Sequence, residues 1–534
     1  MNLDKELQSQ VPDLADDDLL QDDPVLQAWL QRGHLQPGLH GLERYGRELG
    51  SAHWRAQGAL ANRETPQWRP WSPQGERIDQ VDFHPAWHAL MELGMGQGLH
   101  VWPHEPRPGL HLARAASFYL HGQIEAGTLC PLTMTRAAAP LLQGEGFEDW
   151  RRRLEVRQYD PSSRPVARKH SVLLGMGMTE MQGGSDLRGC TTQAHADGDG
   201  RAFRLYGHKW FFSVPQADAH LVLAREQEQL SCFLVPRHVA DGLNGLRIRR
   251  LKDKLGNRSN ASAEIEFDGA LAWRVGEAGR GIALLAGMAA RTRVDCVLGS
   301  AALMRQALVQ SLHYCRHRRA FGKILLEQPL MQAVLLDMAL ESEAAAHLAF
   351  FLTELQERAD DEQAQGVLRV LAPAAKFWVC RRAVALCAEA METWGGNGYV
   401  EDGPMPRLLR EAPVNSIWEG SGNVMCLDVQ RALAQPAVQA ALQSDLQARC
   451  AGDARLENAA RELMDGSAQA GGRAWTQALA VLYQACLMRE MAPQDWAGLF
   501  QTHRLERGPA AVFGVEGAAR PLDWLRRSWL RLDA

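Results

Sequence analysis

The rhythm of apolar and polar positions changes three times along the chain. From about residue 80 to 165, segments such as "FHPAWHALMELGMG" and "LHLARAASFYLHGQIEAGTLCPLTMTRAAAPLLQ" repeat apolar residues at intervals of three and four, the period of an amphipathic helix. From about 170 to 275 the pattern alternates instead. "TTQAHADGDGRAFRLYGHKWFFS" holds a Gly/Asp turn between alternating runs, "AHLVLAREQEQLSCFLVP" pairs two apolar runs across a charged turn, and "SAEIEFDGA" alternates strictly, which predicts strands and hairpins. The helical period returns from about 280 to 433 in stretches long enough to pack as a bundle. The last hundred residues are helical but looser, with "GSAQAGG" as a joint and "RPLDWLRRSWLRL" as a closing amphipathic segment. The expected fold is α+β: an N-terminal helical domain over residues 1–168, a middle β-domain of barrel or sandwich type over 169–278, a helical bundle over 279–435 and a C-terminal helical extension over 436–534.

Composition narrows the partners more than the fold. With 46% hydrophobic and 23% charged residues the 534-residue chain reads as globular, and its net charge of −5 gives no overall attraction to nucleic acid or anionic membrane. The first residues lack an apolar core and turn acidic, and no apolar run approaches a membrane span, so the expected location is cytoplasmic. Ten cysteines without a CxxC pair point to reduced, buried thiols, Cys380 and Cys387 among them.

Candidate chemistry is scattered over several short motifs, each with a bland alternative. "VNSIWEGSGN" sets Glu419 between Trp418 and the small residues Gly420, Ser421 and Gly422, followed by Asn423. A carboxylate beside an indole is a candidate acid or base; a helix N-terminus is the other reading. "GMGMTEMQGGSD" has Glu180 where a dinucleotide fingerprint needs glycine, and it reads better as a loop of amides and hydroxyls, with Thr179 and Ser185, facing a flat polar ligand. Trp210, Phe211 and Phe212 before Ser213 fill a core or stack on a planar ring. In "HRRAFGK" a helix should end at Gly322 beside Arg318, Arg319 and Lys323, which suit a phosphate or only a helix dipole. The glycines of "ETWGGNGYVED" permit close approach of a ligand or simply make a turn.

The order of these motifs resembles the acyl-CoA dehydrogenase family. Thr179, Glu180, Gly184, Ser185 and Asp186 match its Thr-Glu…Gly-Ser-Asp loop, and Lys209 to Ser213 look like its Lys-x-Trp-Ile-Thr strand. Arg318, Phe321 and Gly322 match Arg-x-x-Phe-Gly, Gly395 to Tyr399 match Gly-Gly-x-Gly-Tyr, and Trp418 to Ser421 look like the turn that carries the catalytic glutamate. "FHPAWH", "EAGTLCP", "LKDKLGNRSNAS" and "PVNSIWEGSGNVMCLDV" are similar to its AidB-type, alkylation-response branch, where a C-terminal helical extension is expected.

The resemblance implies FAD held between β-domain and bundle, in a homotetramer whose neighbouring subunit completes the site. It places Met176, Met178, Thr179, Gly184, Ser185, Phe211, Phe212 and Ser213 around the flavin, with Thr179, Ser185 and Ser213 on its edge and Phe211 facing it. Arg318 and Phe321 would reach the neighbour's FAD, Gly395 and Gly396 would line the dinucleotide path, and Trp418, Gly420, Ser421 and Asn423 would complete the site. Glu419 stands at the base position; the alternative position in the family is Thr292, which cannot serve. The implied reaction is α,β-dehydrogenation of a short or branched acyl-CoA, with electrons passed to a flavoprotein acceptor and Trp418 narrowing the cavity. No metal is implied. The branch also implies a role in the response to DNA alkylation, with duplex DNA docked on the C-terminal domain. That domain carries eleven Arg, no Lys and eleven acidic residues, so a DNA face would depend on Arg520, Arg526, Arg527 and Arg531 acting together. The alternative is an ordinary metabolic acyl-CoA dehydrogenase that binds no DNA.

Overall fold

The computed structural model describes residues 10–35, 41–103, 108–198, 201–240, 242–466, 472–514 and 523–532. They divide into two compact units that are discontinuous in sequence: residues 55–105 with 125–292, and residues 1–54 with 106–124 and 293–534.

The first of these is built on a mixed, mostly antiparallel sheet. A hairpin of β1 (Gln67–Trp71) and β2 (Arg77–Asp82) precedes the main sheet, inside a region whose rhythm predicts helix only from about residue 80. The main strands are β3 (Leu174–Gly177), β4 (Gln193–Asp197), β5 (Ala202–Ser213), β6 (Ala219–Glu226) and β7 (Gln229–Pro236). A short ribbon of β8 (His238–Val239) and β9 (Gly242–Leu243) follows, then β10 (Leu246–Leu251) and β11 (Ser262–Val275). β3 and β4 each pair with β6 in parallel. Pairings run β11 to β5 to β4 to β6, and β7 joins β6 back to β11, so five strands close on themselves while β10 and β3 flank the ring. Closure removes most open edges and leaves an inward layer including Phe203, Phe212, Val222, Phe233, Ile248 and Ile265, all buried.

The second unit is helical. Its main elements are α1 (Gly281–His317, of which residues from Arg293 belong here), α2 (Pro329–Glu357), α3 (Glu362–Thr393), α4 (Met405–Asn415), α5 (Gly422–Leu433), α6 (Pro436–Cys450), α7 (Ala454–Asp465) and α8 (Arg473–Met491). Asp361 caps α3 by accepting from Ala364 N. α3 packs against α2, α4, α5, α6 and α8, which is why it is apolar on nearly every side. The C-terminal extension is part of this unit. Arg504, in a π-helical turn over Gln501–Glu506, bonds Glu341 (3.0 Å) and Asp337 of α2, and Trp378 Nε1 donates to Gln484 Oε1 at 3.0 Å. No helix among the described residues is long and apolar enough to cross a membrane.

Candidate active site

In the β-unit the loop after β3 is pinned to β5 by one buried carboxylate. Glu180 is 1% exposed and accepts from Lys209 Nζ (2.7 Å), Thr192 Oγ1 (2.6 Å), Thr191 N and Oγ1 (both 2.7 Å), Gln182 Nε2 (2.6 Å) and Cys190 Sγ (3.0 Å). Burial pushes its carboxyl up, but the Lys209 ammonium and the hydroxyls outweigh this and hold it well below the usual carboxylate range. Trp210 N donates to Thr179 O at 2.8 Å, so Thr179 lies against β5. Gly184 folds back on Thr179 so closely that a Cβ there would collide with the Thr179 side chain.

Around this loop Met176, Met178 and Thr179 are half-buried and Ser185 is exposed. Strand alternation then separates the aromatic run. Phe211 is 56% exposed, with Lys252 Nζ 4.7 Å from its ring centre, and Ser213 is half-buried, its Oγ 3.5 Å from Ser262 Oγ. Phe212 points the other way. It is fully buried in the core and stacks on His220 with ring centres 3.8 Å apart, so it is removed from the set of cofactor contacts. His220 donates from Nε2 to Ser213 O at 3.1 Å, and burial pushes its pKa down to about 3, which keeps it neutral.

In the helical unit Glu419 lies in the connection between α4 and α5 and does not cap α5, whose N-cap is Ser421. Glu419 and Gly420 both have positive φ, 58° and 107°. A non-glycine residue in the left-handed region costs about 1–2 kcal/mol and must be held there. Two cations hold it: Arg293 Nε donates to Glu419 O at 3.0 Å and Lys376 Nζ to Gly420 O at 2.8 Å. Arg293 also pairs with Asp428 at 2.6 Å, which Arg369 engages at 2.7 Å. Trp418 is half-buried, with its indole nitrogen covered. Asn423 Oδ1 accepts from Arg473 Nη1 at 2.8 Å, so the C-terminal extension reaches the turn that carries the glutamate.

The remaining motifs of this unit are surface features. α1 ends at His317, not at Gly322; β12 (Arg319–Ala320) and β13 (Lys323–Ile324) then form a hairpin whose turn residues Phe321 and Gly322 have φ of 51° and 77°. Phe321, at the tip, is 97% exposed, and Arg318 is half-buried at its base. Gly395, with φ 59°, and Gly396 are exposed at the start of a short turn, Gly396–Tyr399.

The closing segment is not one amphipathic helix. Among its described residues only Asp523–Arg526 is helical, and the described arginines are each engaged within the chain. Arg526 pairs with Asp523, Arg527 with Glu343 of α2 at 2.6 Å, and Arg531 with Asp22 and the Asp16 carbonyl; Arg520 lies outside the described residues.

Comparison with known proteins matches three stretches of the sequence to named families. Residues 9–161 match the adaptive response protein AidB N-terminal domain, 175–270 the acyl-CoA dehydrogenase middle domain and 279–434 the acyl-CoA dehydrogenase C-terminal domain. The putative acyl-CoA dehydrogenase AidB of Escherichia coli is 50% identical over 398 residues, 73% of either chain. The structure of Caenorhabditis elegans ACDH-11 in complex with C11-CoA superposes with a TM-score of 0.82 at 26% identity, covering 92% of this chain and 91% of that one. An acyl-CoA dehydrogenase complexed with FAD from Bacillus anthracis shares the fold with a TM-score of 0.64 at 20% identity, covering 78% and 80%. The chain belongs to the acyl-CoA dehydrogenase family, a class of FAD-dependent oxidoreductases. Within it, the N-terminal domain and the E. coli relative make it an AidB-type member.

The residues present fit a flavin. The Thr179 and Ser213 hydroxyls offer hydrogen bonds to a polar ring edge, and the exposed Phe211 ring offers a face to stack on. Several participants were invisible as such in the sequence: Lys209 as the counter-ion of Glu180, Arg293 and Lys376 as clamps on the Glu419 turn, and Arg473 on Asn423. One signal was present for Lys376, a single lysine inside the apolar run "VLAPAAKFWVC".

Proposed function

We propose that the chain dehydrogenates the α,β bond of an acyl-CoA thioester, with Glu419 removing the α-proton. The observation that carries this is the clamped, positive-φ turn, which holds a glutamate at one place at the expense of backbone strain. FAD, when bound, supplies the acceptor for the β-hydride. Thr179, Ser185 and Ser213 orient its ring edge, Phe211 covers a face, and Gly395, Gly396, Ser421 and Asn423 give its dinucleotide room. Arg318 and Phe321, on an exposed hairpin, suit contact with the FAD of a second copy in a homotetramer. Trp418 beside the base favours short or branched acyl groups, and a flavoprotein accepts the electrons.

The test is an anaerobic visible spectrum during titration with a panel of acyl-CoA thioesters, C11 included. Bleaching by one class of thioester supports the reading and names the substrate; flavin that none of them bleaches opposes it.

A second reading, a part in an adaptive response to alkylation with duplex DNA at the C-terminal domain, is favoured by the AidB-type N-terminal domain and the E. coli relative. The described arginines proposed for that contact are each engaged within the chain, so DNA would have to displace ion pairs to use them. Retention on duplex DNA that falls steeply with salt supports this role, and retention no greater than that of a neutral protein opposes it.

A further inference from the structure

Lys376 is 1% exposed in the middle of α3, and its ammonium donates to the Gly420 carbonyl at 2.8 Å. The group it donates to is a neutral backbone carbonyl. Burying an ammonium is costly, so its position asks for a purpose.

We propose that Lys376 is a positioning residue for the base: by holding the Gly420 carbonyl it fixes the Glu419–Gly420 peptides and thereby the point to which the Glu419 carboxylate is delivered. This rests on the reading of Glu419 as the base. The division of labour follows from the backbone. Arg293 holds the Glu419 carbonyl from α1, while Gly420, which has no side chain and a φ of 107°, is held through its carbonyl from α3. Without the second grip the glycine regains its conformational freedom and the preceding side chain swings with it. Proton abstraction needs the base within hydrogen-bond reach, and a shift of an ångström in a reacting group slows a step about a hundredfold. Binding of the thioester does not depend on this grip, so the loss falls on the rate.

The test is stopped-flow bleaching of the FAD-loaded protein by the thioester that reduces the parent. Lys376→Met is expected to lower the rate at saturating thioester by about 30-fold or more while half-saturation stays within about threefold and flavin content is unchanged. Lys376→Arg, which restores a cationic donor, is expected to recover most of the rate. A Met variant that bleaches at the parental rate, or that loses only affinity, overturns the proposal, and so does an Arg variant as slow as the Met variant. If Lys376→Met does not fold, Lys376→Gln, whose shorter side chain gives up the grip, takes its place: a loss of about tenfold or more at saturating thioester with half-saturation unchanged supports the proposal, and a smaller loss overturns it. Glu419→Gln run alongside separates the two readings. Bleaching by that variant refutes the base itself, whereas an inert Glu419→Gln beside a normal Lys376→Met refutes only the positioning.

Discussion

Two glutamates, one in each unit, are held by opposite means. Glu180 is held by its carboxylate, which receives an ammonium, three hydroxyl or thiol donors, two backbone amides and a side-chain amide. Glu419 is held by its backbone, through its own carbonyl and that of Gly420. The first arrangement spends the carboxylate on architecture, and the second fixes the backbone of the residue proposed as the base. The difference teaches that a family motif can contain acidic residues of equal prominence and unequal purpose.

The comparison breaks most visibly at Glu419. Glu419→Gln should slow anaerobic bleaching by about a thousandfold or more while leaving flavin content and the unfolding midpoint near the parental values. Lys209→Met should do the reverse. It leaves Glu180 buried without its counter-ion and should cost about 3–5 kcal/mol in urea unfolding followed by a probe within the β-unit.

Acid sharpens the contrast further. His220 has its folded pKa lowered to about 3 from an unfolded value near 6.5, so its contribution to stability is complete above about pH 6.5 and is lost as pH falls from there towards 3. The slope should reach at most about 1.4 kcal/mol per pH unit and should disappear in His220→Gln. Glu180, also lowered, contributes stability that is present above its unfolded pKa of about 4.3 and lost as pH falls below it, so its loss begins later. Acid unfolding of the β-unit followed at successive pH values would check both signs. The smallest effect is expected on the surface: Arg526→Ala removes an exposed pair with Asp523 and should change stability by about 0.5 kcal/mol or less in the same unfolding assay.

Alternation and helical period were enough to expect a β-domain between helical regions, because a closed barrel and a bundle each bury a face whose spacing is written into the chain. The hairpin at Gln67–Asp82 escaped because Pro70 and the charges of "RIDQVD" dilute the alternation. Short motifs singled out Thr179 and Ser213 in the β-unit and Glu419 in the helical unit as candidates. What they could not convey was partnership across long sequence gaps: Lys376 meets Gly420 forty-four residues on, and Arg293 meets Glu419 after 126. Phe212 was misassigned since three consecutive aromatics do not reveal which of them faces inward until the register with β11 is known. The arginines of the closing segment were legible as charges, but the acidic partners of Arg527 and Arg531, Glu343 and Asp22, lie far away in sequence.

The buried carboxylates of α2 bear on how the protein is made. Glu341 and Glu343 leave the ribosome long before their partners, since Arg504 lies 163 residues after the first and Arg527 184 residues after the second. At a synthesis rate of about 5–20 residues per second, α2 waits on the order of 10 to 40 seconds for those cations. Until then Glu341 has Arg382 of α3 for a partner and Glu343 has His347 of its own helix, so the full set of ion pairs on α2 forms only once the segment bearing Arg504 and Arg527 has been made, and a chain truncated before Arg504 leaves both carboxylates short of a cation.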